Sequence, residues 1–275
     1  MDIRCIALDL DRTTLNEKGR LSEENRQAIL YAMEKGVHVV VASGRSFHSL
    51  PAEIRNFPGI EYAVTSNGAA IYHVPTEKRM HGYRLTPRAV DRILALEGKM
   101  SVVYEGFVCG EAFADAAYVA DPLSFGASKK AVAYIQSTRK PVGDIRGFFR
   151  RHKEELDSID IIVKDAGMKQ VVWRSLSENV PDIYITSSVE NLIEISHREC
   201  GKHSGVKYIM NHLGIGREQV AAFGDGDNDA DMLTFAGCGI AVANASPACK
   251  NAADALTLSN EENGVAYGVY HILKI

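Results

Sequence analysis

The sequence has few cysteines and no paired arrangement of them. Its 5 cysteines among 275 residues are odd in number and widely spaced, and none forms a C-x-x-C pair. This pattern suggests neither a disulfide framework nor a zinc site. We therefore expect small, buried thiols in a protein of the reducing cytoplasm.

Long hydrophobic runs and an excess of charge of either sign are also absent. No apolar stretch approaches the roughly 20 residues that a membrane-spanning helix needs. The first residues lack the basic-then-apolar pattern of a signal peptide, so none is expected. With 31 Lys+Arg against 35 Asp+Glu, the formal net charge is −4, and we expect neither a nucleic-acid partner nor a membrane.

The sequence does contain apolar segments that alternate with helical patterns. Residues 3–8, 37–42 and 61–65 are predicted to be buried strands, and a helix capped by Ser22 separates the first two. The same order recurs near the C-terminus, around a strand at 220–223. The rhythm predicts an α/β fold, with a Rossmann-like doubly wound parallel sheet between helices.

The middle of the chain has a different pattern. Thr86-Pro87 is a typical helix start, and a strand, helix, strand series follows over 159–186. This is enough chain for an independent α+β domain inserted into the first one. The predicted division is 1–82 with 189–275 for the core and 83–188 for the inserted domain.

Two aspartates, Asp9 and Asp11, stand at the end of the first predicted strand. In open parallel sheets, ligands bind beyond the carboxyl ends of the strands. The chain turns here, so the two carboxylates can approach a substrate from different sides. The alternative interpretation is a pair of solvated aspartates in a surface turn.

A second acidic segment, Gly224-Asp225-Gly226-Asp227-Asn228-Asp229, also follows an apolar strand. An EF-hand loop from Asp225 would need glycine and glutamate where Ala230 and Ala236 stand, and a dinucleotide fingerprint would need glycine at Asp229. Both motifs are excluded. A divalent ion held by a few carboxylates remains possible, and so does a solvated polar turn.

Two weaker signals accompany the acidic segments. Ser43-Gly44-Arg45 follows the second strand and predicts the start of a helix, where backbone N–H groups favour an anion. Lys202 precedes another predicted helix. Each pattern is common by itself, as a Ser-Gly turn or as a surface lysine.

Taken in order, these motifs resemble those of the haloacid dehalogenase superfamily of phosphohydrolases, and specifically its Cof-like branch. Further similarities are Met232 and the segments Ser66-Asn67-Gly68-Ala69, Ala243-Asn244-Ala245 and Asn263-Gly264-Val265-Ala266. The matching motifs cover the two outer thirds of the chain. The middle third matches in position and length, as the α/β cap that such phosphatases carry.

The resemblance implies a role for each acidic motif. Asp9 would be the nucleophile that forms an aspartyl-phosphate, and Asp11 the general acid and then the general base. Mg²⁺ would be held by the side chains of Asp9 and Asp225 and by the backbone carbonyl of Asp11. The expected partner is a small phosphorylated metabolite, with a sugar phosphate as the leading class.

The same resemblance assigns the remaining polar residues. Phosphoryl oxygens would be held by Ser43, Gly44, Lys202 and Asn228. Asp229 would support the metal or Lys202. Asn67 and Arg45 would face the substrate from the core.

Three residues depart from the family pattern: Arg12 and His203 stand where glycine is usual, and Thr14 stands where leucine is usual. Arg12 adds bulk and a permanent charge to a tight turn. Two alternative functions are carried forward. One is a sugar phosphomutase, which passes the phosphoryl group to a sugar hydroxyl, because phosphomannomutases carry a similar core and cap. The other is a non-catalytic sugar-phosphate binding protein, for which Arg12 is the only support.

Overall fold

The computed structural model describes residues 2–96 and 102–275, which form two compact units. The first unit contains the chain up to Gly44, Leu50–His81 and Gly201–Ile275. The second contains Arg45–Ser49 and Gly82–Cys200. Each unit has its own sheet.

The strands of the described chain are β1 (Cys5–Leu8), β2 (His38–Ala42), β3 (Tyr62–Thr65), β4 (Ala70–His73), β5 (Lys78–Gly82), β6 (Val103–Val108), β7 (Glu111–Asp115), β8 (Arg139–Val142), β9 (Leu156–Ile162), β10 (Ile183–Thr186), β11 (Leu192–His197), β12 (Val220–Gly224), β13 (Cys238–Ala241) and β14 (Ala255–Leu256). The α-helices are α1 (Glu23–Glu34), α2 (Ala52–Arg55), α3 (Pro87–Ala95), α4 (Ala116–Ala120), α5 (Val132–Thr138), α6 (Ile145–Arg151), α7 (Ala166–Asn179), α8 (Lys202–Leu213), α9 (Ala230–Phe235), α10 (Pro247–Ala252) and α11 (Gly264–Tyr267).

An eight-stranded sheet forms the centre of the first unit, in the order β14-β13-β12-β1-β2-β3-β4-β5. Strands β1, β2, β3, β12, β13 and β14 pair in parallel, and β4 is antiparallel to β3. Strands buried on both faces are expected to be continuous apolar runs, and all four residues of β1 are buried. The predicted α/β class is confirmed.

Helix α1 begins where the sequence predicts it. The Ser22 hydroxyl accepts the N–H of Asn25 at 3.2 Å, which satisfies one of the unpaired N–H groups of the first turn. Helix α8 lies against β3 because Gly205 has no side chain. A Cβ at that position would come within 2.4 Å of Cγ1 of Val64.

The second unit is built on a six-stranded sheet with the order β10-β11-β9-β6-β7-β8. Neighbouring strands of this sheet are antiparallel, except for β7 and β8, which are parallel. Helix α3 begins at the predicted Thr86-Pro87, where the Thr86 hydroxyl accepts the N–H of Ala89. The lone Trp173 is half-buried and packs against an apolar cluster that includes Phe149 and Leu176.

Charged residues cross the sheet of the second unit in one buried row. Glu105, Asp160 and Glu194 are direct partners on the adjacent strands β6, β9 and β11. All three are buried, and Arg139 donates from Nε to Glu105 at 2.9 Å. Burial, then Glu194 and Glu105, raise the pKa of the Asp160 carboxyl well above its ordinary value, although Arg139 opposes them.

The return to the first unit comes later than the sequence suggests. Strand β11 lies in the part of the chain, 189–275, that the sequence assigns to the core, but it pairs with β9 and β10 in the second sheet. The second unit therefore extends to Cys200, whereas the predicted inserted domain is 83–188. The apolar pattern of a sequence predicts where a strand lies, but it does not predict which sheet the strand joins. No described helix has the length and apolar character needed to cross a membrane.

Candidate active site

Four strands of the first unit end at one edge of its sheet. Asp9 follows β1, Ser43 follows β2, Ser66-Asn67 follows β3 and Asp225 follows β12. These strands are parallel neighbours in the sheet, so their carboxyl ends lie side by side. This is the edge at which open α/β sheets bind their ligands.

The turn after β1 places Asp9 inside the protein and Asp11 outside it. Asp9 is buried, its N–H donates to the Phe223 carbonyl at 3.0 Å, and its carbonyl accepts the Thr14 hydroxyl. Asp11 is exposed on the same turn. Arg12 has a left-handed backbone with φ 62° and ψ 8°, a conformation that favours glycine.

Lys202 joins two buried carboxylates. Its ammonium donates to Oδ1 of Asp9 and to Oδ1 of Asp229, each at 2.6 Å. Its side chain is 1% exposed, so these charge-assisted bonds lie away from water. The alternative interpretation of Lys202 as a surface lysine is wrong, because its side chain is buried between two carboxylates.

The start of helix α8 is positioned by a close backbone approach. The N–H of Gly201 donates to the Asn67 carbonyl at 2.8 Å. A Cβ on Gly68, which has φ +91°, would lie 2.2 Å from the Gly201 carbonyl oxygen. Glycine at position 68 therefore allows the turn after β3 to touch Gly201, and Lys202 follows directly.

The acidic segment after β12 folds around Asp229. Oδ2 of this carboxylate accepts the backbone N–H groups of Asp225 and Gly226, at 3.0 and 2.9 Å. Gly224 permits the approach, because a Cβ there would lie 2.5 Å from the Cβ of Asp229. Asp229 is fully buried and holds both Lys202 and the loop, which is the supporting place that the resemblance implies for it.

The buried carboxylates resist ionisation. Burial, then the negative charge of Asp229, raises the pKa of Asp225 to about 7, although Arg12 and Lys202 oppose the shift. The pKa of Asp9 is raised for the same two reasons, against the opposing effect of Lys202. Burial alone would lower the pKa of the Lys202 ammonium, but Asp229 and Asp9 outweigh it and keep the lysine charged.

Three carboxylates are close enough to share one cation. Oxygen atoms of Asp9, Asp225 and Asp229 lie within 4.8 Å of one another. Both oxygens of Asp229, however, already accept protein donors. Asp9 and Asp225 are therefore the better side-chain ligands, and hard carboxylate oxygens suit Mg²⁺.

A second set of polar residues extends along the same edge of the sheet. The Asn228 side-chain N–H donates to Oδ1 of Asn67 at 3.0 Å, and the Asn67 backbone N–H donates to the Ser43 carbonyl at 3.1 Å. All three residues are buried. The structure thus links these three sequence-predicted residues to one another.

The prediction that a helix begins at Ser43-Gly44 is wrong. The Ser43 N–H donates to the Val64 carbonyl of β3, the chain bends at Gly44, and the first helical element is the short 3₁₀ turn Phe47–Ser49, ahead of α2. Arg45 belongs to the second unit. There its guanidinium lies 4.3 Å from the ring centre of Tyr134, and it donates to the Ser49 carbonyl.

Three residues without a predicted role support the site. The Thr13 hydroxyl donates to Oδ1 of Asp225 at 3.4 Å. The Asn244 side chain donates to the Arg12 carbonyl at 2.8 Å, and the Ser246 N–H donates to the Asp225 carbonyl at 2.8 Å. Asn244 lies in one of the family-like segments, which was the signal that it belonged to this site.

Comparisons with known proteins point to one family. A family model described as haloacid dehalogenase-like hydrolase matches residues 6–269. Phosphatase YwpJ of Bacillus subtilis (strain 168) is 30% identical over 292 residues, which cover 98% of this chain and 100% of that protein. The 5-amino-6-(5-phospho-D-ribitylamino)uracil phosphatase YitU of the same strain is 29% identical over 266 residues, which cover 95% of this chain and 94% of that protein.

A solved structure supports the same assignment of the fold. A haloacid dehalogenase-like hydrolase from B. subtilis superposes with a TM-score of 0.84 at 30% sequence identity. The match covers 98% of this chain and 100% of the other.

Proposed function

The chain belongs to the haloacid dehalogenase-like hydrolase family, and from that premise we propose that it is a Mg²⁺-dependent phosphatase of small phosphorylated metabolites. The observation that carries the proposal is the buried Lys202 ammonium, which holds Oδ1 of Asp9 at 2.6 Å beside Asp225. A carboxylate held by one oxygen in this way can present the other oxygen to a phosphorus atom.

The side chains of Asp9 and Asp225 and the backbone carbonyl of Asp11 would hold Mg²⁺. Their oxygen atoms are ligands of the type that Mg²⁺ prefers. When bound, the ion supplies positive charge that offsets the repulsion between the carboxylates and an anionic substrate. Burial and the neighbouring carboxylate of Asp229 raise the pKa values of Asp9 and Asp225, and a positive charge nearby would favour their ionised forms.

Asp9 is the proposed nucleophile. One of its carboxylate oxygens attacks phosphorus, a new O–P bond forms, and the bond between phosphorus and the substrate oxygen breaks. Lys202 fixes the carboxylate for this step and stabilises its charged form. The product of the step is an aspartyl-phosphate and a leaving oxygen that needs a proton.

Asp11 is the proposed source of that proton. Its acid form protonates the leaving oxygen, and the resulting carboxylate then takes a proton from water. The water oxygen attacks phosphorus, the bond to Asp9 breaks, and phosphate is released. Asp11 is exposed on the turn that buries Asp9, which leaves its carboxyl accessible to a substrate and to water.

Phosphate binding is assigned to Ser43, Gly44, Lys202 and Asn228. Two of the three N–H groups of the Lys202 ammonium serve Asp9 and Asp229, so the third can meet a phosphoryl oxygen. Asn228 is held in place by Asn67. Arg45 and Asn67 remain candidates for contacts with the rest of the substrate.

We further propose that the substrate is a sugar phosphate or a phosphorylated sugar alcohol, and that the second unit is the cap that selects it. One relative is named for a substrate that carries a phosphoribityl group, which belongs to this chemical class. The free thiols of all five cysteines support a reducing compartment, and we place the reaction in the cytoplasm.

The test is phosphate release from a panel of sugar phosphates, sugar-alcohol phosphates and an aryl phosphate, with Mg²⁺ or with EDTA. We expect turnover that requires Mg²⁺, falls to background in Asp9→Asn and falls about 100- to 10,000-fold in Asp11→Asn. Asp91→Asn, which changes an exposed carboxylate of the second unit, is the matched control and should keep wild-type turnover.

Two results would contradict the proposal. Recovery of an isomeric sugar phosphate without free phosphate would indicate transfer to a sugar hydroxyl, as in a phosphomutase. Binding of sugar phosphates by folded protein with no turnover on any compound would indicate a binding protein.

A further inference from the structure

Arg12 is the residue of the site that the proposed mechanism does not use. Its Nη1 lies 3.6 Å from Oδ2 of Asp225. That distance is too long for a hydrogen bond but short enough for a modest attraction between the two charges. Oδ1 of the same carboxylate accepts the Thr13 hydroxyl, so both oxygens of Asp225 have a neighbour.

The backbone holds Arg12 in this place. Its φ of 62° is unfavourable for a residue with a side chain, at a typical cost of about 1–2 kcal/mol. The Asn244 side chain donates to its carbonyl at 2.8 Å and fixes the turn. The turn therefore holds Arg12 in a backbone conformation that glycine would adopt without cost.

The two cations of the site differ in their freedom to move. The Lys202 side chain is 1% exposed and is bonded to two carboxylates. The Arg12 side chain is 55% exposed and approaches one carboxylate, whose own side chain is 8% exposed. Lys202 is therefore a fixed part of the cluster, whereas the guanidinium of Arg12 can leave Asp225 at little cost.

We propose that Arg12 competes with the divalent cation for Asp225 and so sets the metal affinity of the site. The inference rests on the proposed function, which supplies the cation. Without metal, the guanidinium offsets part of the negative charge of the cluster, which contains Asp9, Asp225 and Asp229 against Lys202. A divalent ion at Asp225 must displace the guanidinium or bind beside a like charge, and either event weakens binding.

The experiment is a calorimetric titration of the full chain with Mg²⁺ and with Mn²⁺, in the absence of any substrate. Arg12→Gln removes the charge but keeps an unbranched polar side chain, and Arg12→Lys keeps the charge. We expect Arg12→Gln to bind both ions about two- to fivefold more tightly than wild type, and Arg12→Lys to bind them as wild type does. Raising the salt concentration should shrink the difference.

Arg4→Gln is the matched control. Arg4 is exposed and directly precedes β1, so it lies at the end of the strand opposite to Asp9. Its loss changes the net charge of the protein by the same amount, and we expect no change in affinity. Arg12→Gly should tighten binding as Arg12→Gln does, which would show that charge and not backbone conformation decides the effect.

Thermal unfolding supplies a second readout. Without metal, Arg12→Gln should unfold at a slightly lower temperature than wild type, because the cluster loses a counter-charge. Saturating Mg²⁺ should raise its unfolding temperature by more than it raises that of wild type. This comparison needs no turnover and also shows that the variant is folded.

The outcomes separate this proposal from the proposed function. If wild type binds Mg²⁺ and Arg12→Gln binds it equally or more weakly, the competition is refuted and the metal site stands. The metal site itself is refuted, and this proposal with it, if neither protein binds a divalent cation. In that case Mg²⁺ should also leave the unfolding temperatures of wild type and Asp225→Asn unchanged.

Discussion

Replacing Lys202 by methionine should destabilise the protein more than any surface change. The ammonium is 2.6 Å from one oxygen of Asp9 and from one of Asp229. At an effective dielectric constant of about 20, each pair is worth about 6 kcal/mol of attraction. Most of this is offset by the loss of hydration, and removal of one partner of a buried pair typically costs about 3–5 kcal/mol.

A loss of that size is a large part of the total stability, which is about 5–15 kcal/mol for a typical protein. The assay is urea unfolding in EDTA, followed by circular dichroism, for wild type and Lys202→Met. Lys207→Met is the control, since Lys207 is exposed on the same helix, and it should change the free energy of unfolding by at most about 0.5 kcal/mol.

The loss should also depend on pH. Lys202 lowers the pKa of Asp9, so its removal raises that pKa further. A carboxyl whose pKa is higher in the folded state binds more protons there, and the folded state then loses stability as the pH rises. The difference from wild type should therefore be larger at about pH 8 than at about pH 5. A loss below about 1 kcal/mol at the higher pH would refute the account of this ion pair.

Two further predictions concern other parts of the chain. Gly68→Ala should lower the free energy of unfolding by at least about 2 kcal/mol, because the new Cβ would meet the Gly201 carbonyl oxygen. Gly19→Ala is the control: it has open space around it and should cost about 1 kcal/mol of backbone strain. Urea unfolding measures both changes. Asp160→Asn should stabilise the protein at about pH 8 and have little effect near pH 4, because burial and Glu194 raise the pKa of Asp160, and its ionisation destabilises the folded state as the pH rises. An Asp160→Asn effect that is the same at both pH values would contradict this.

Local sequence patterns predicted the parts of the site that follow strands. Asp9 and Asp225 stand directly after apolar runs, and the parallel rhythm of strands and helices brings such positions to one edge of a sheet. The helix caps at Ser22 and Thr86 were equally readable, because a cap depends on a few neighbouring residues.

Features that depend on distant contacts could not be predicted in this way. Lys202 is a lysine before a helix in the sequence, and only the fold brings it to Asp9 and Asp229. The Ser43-Gly44 segment has the composition of a helix start, yet the Ser43 N–H bonds to the Val64 carbonyl of β3 and no helix begins there. Strand β11 has the right pattern for either sheet, and pairing with β9 decides its place.

The most direct test of the central claim is a search for the covalent intermediate on Asp9. The protein would be mixed with Mg²⁺ and a sugar phosphate that it hydrolyses, and the reaction would be quenched with acid within milliseconds. The quenched protein would then be digested and examined by mass spectrometry. We predict a phosphoryl group on the peptide that contains Asp9 in wild type and its absence in Asp9→Asn. In Asp11→Asn we predict its accumulation with an aryl phosphate, because that leaving group needs no general acid and only the release step is slowed. Turnover in wild type with no phosphorylated peptide in either wild type or Asp11→Asn would contradict the claim.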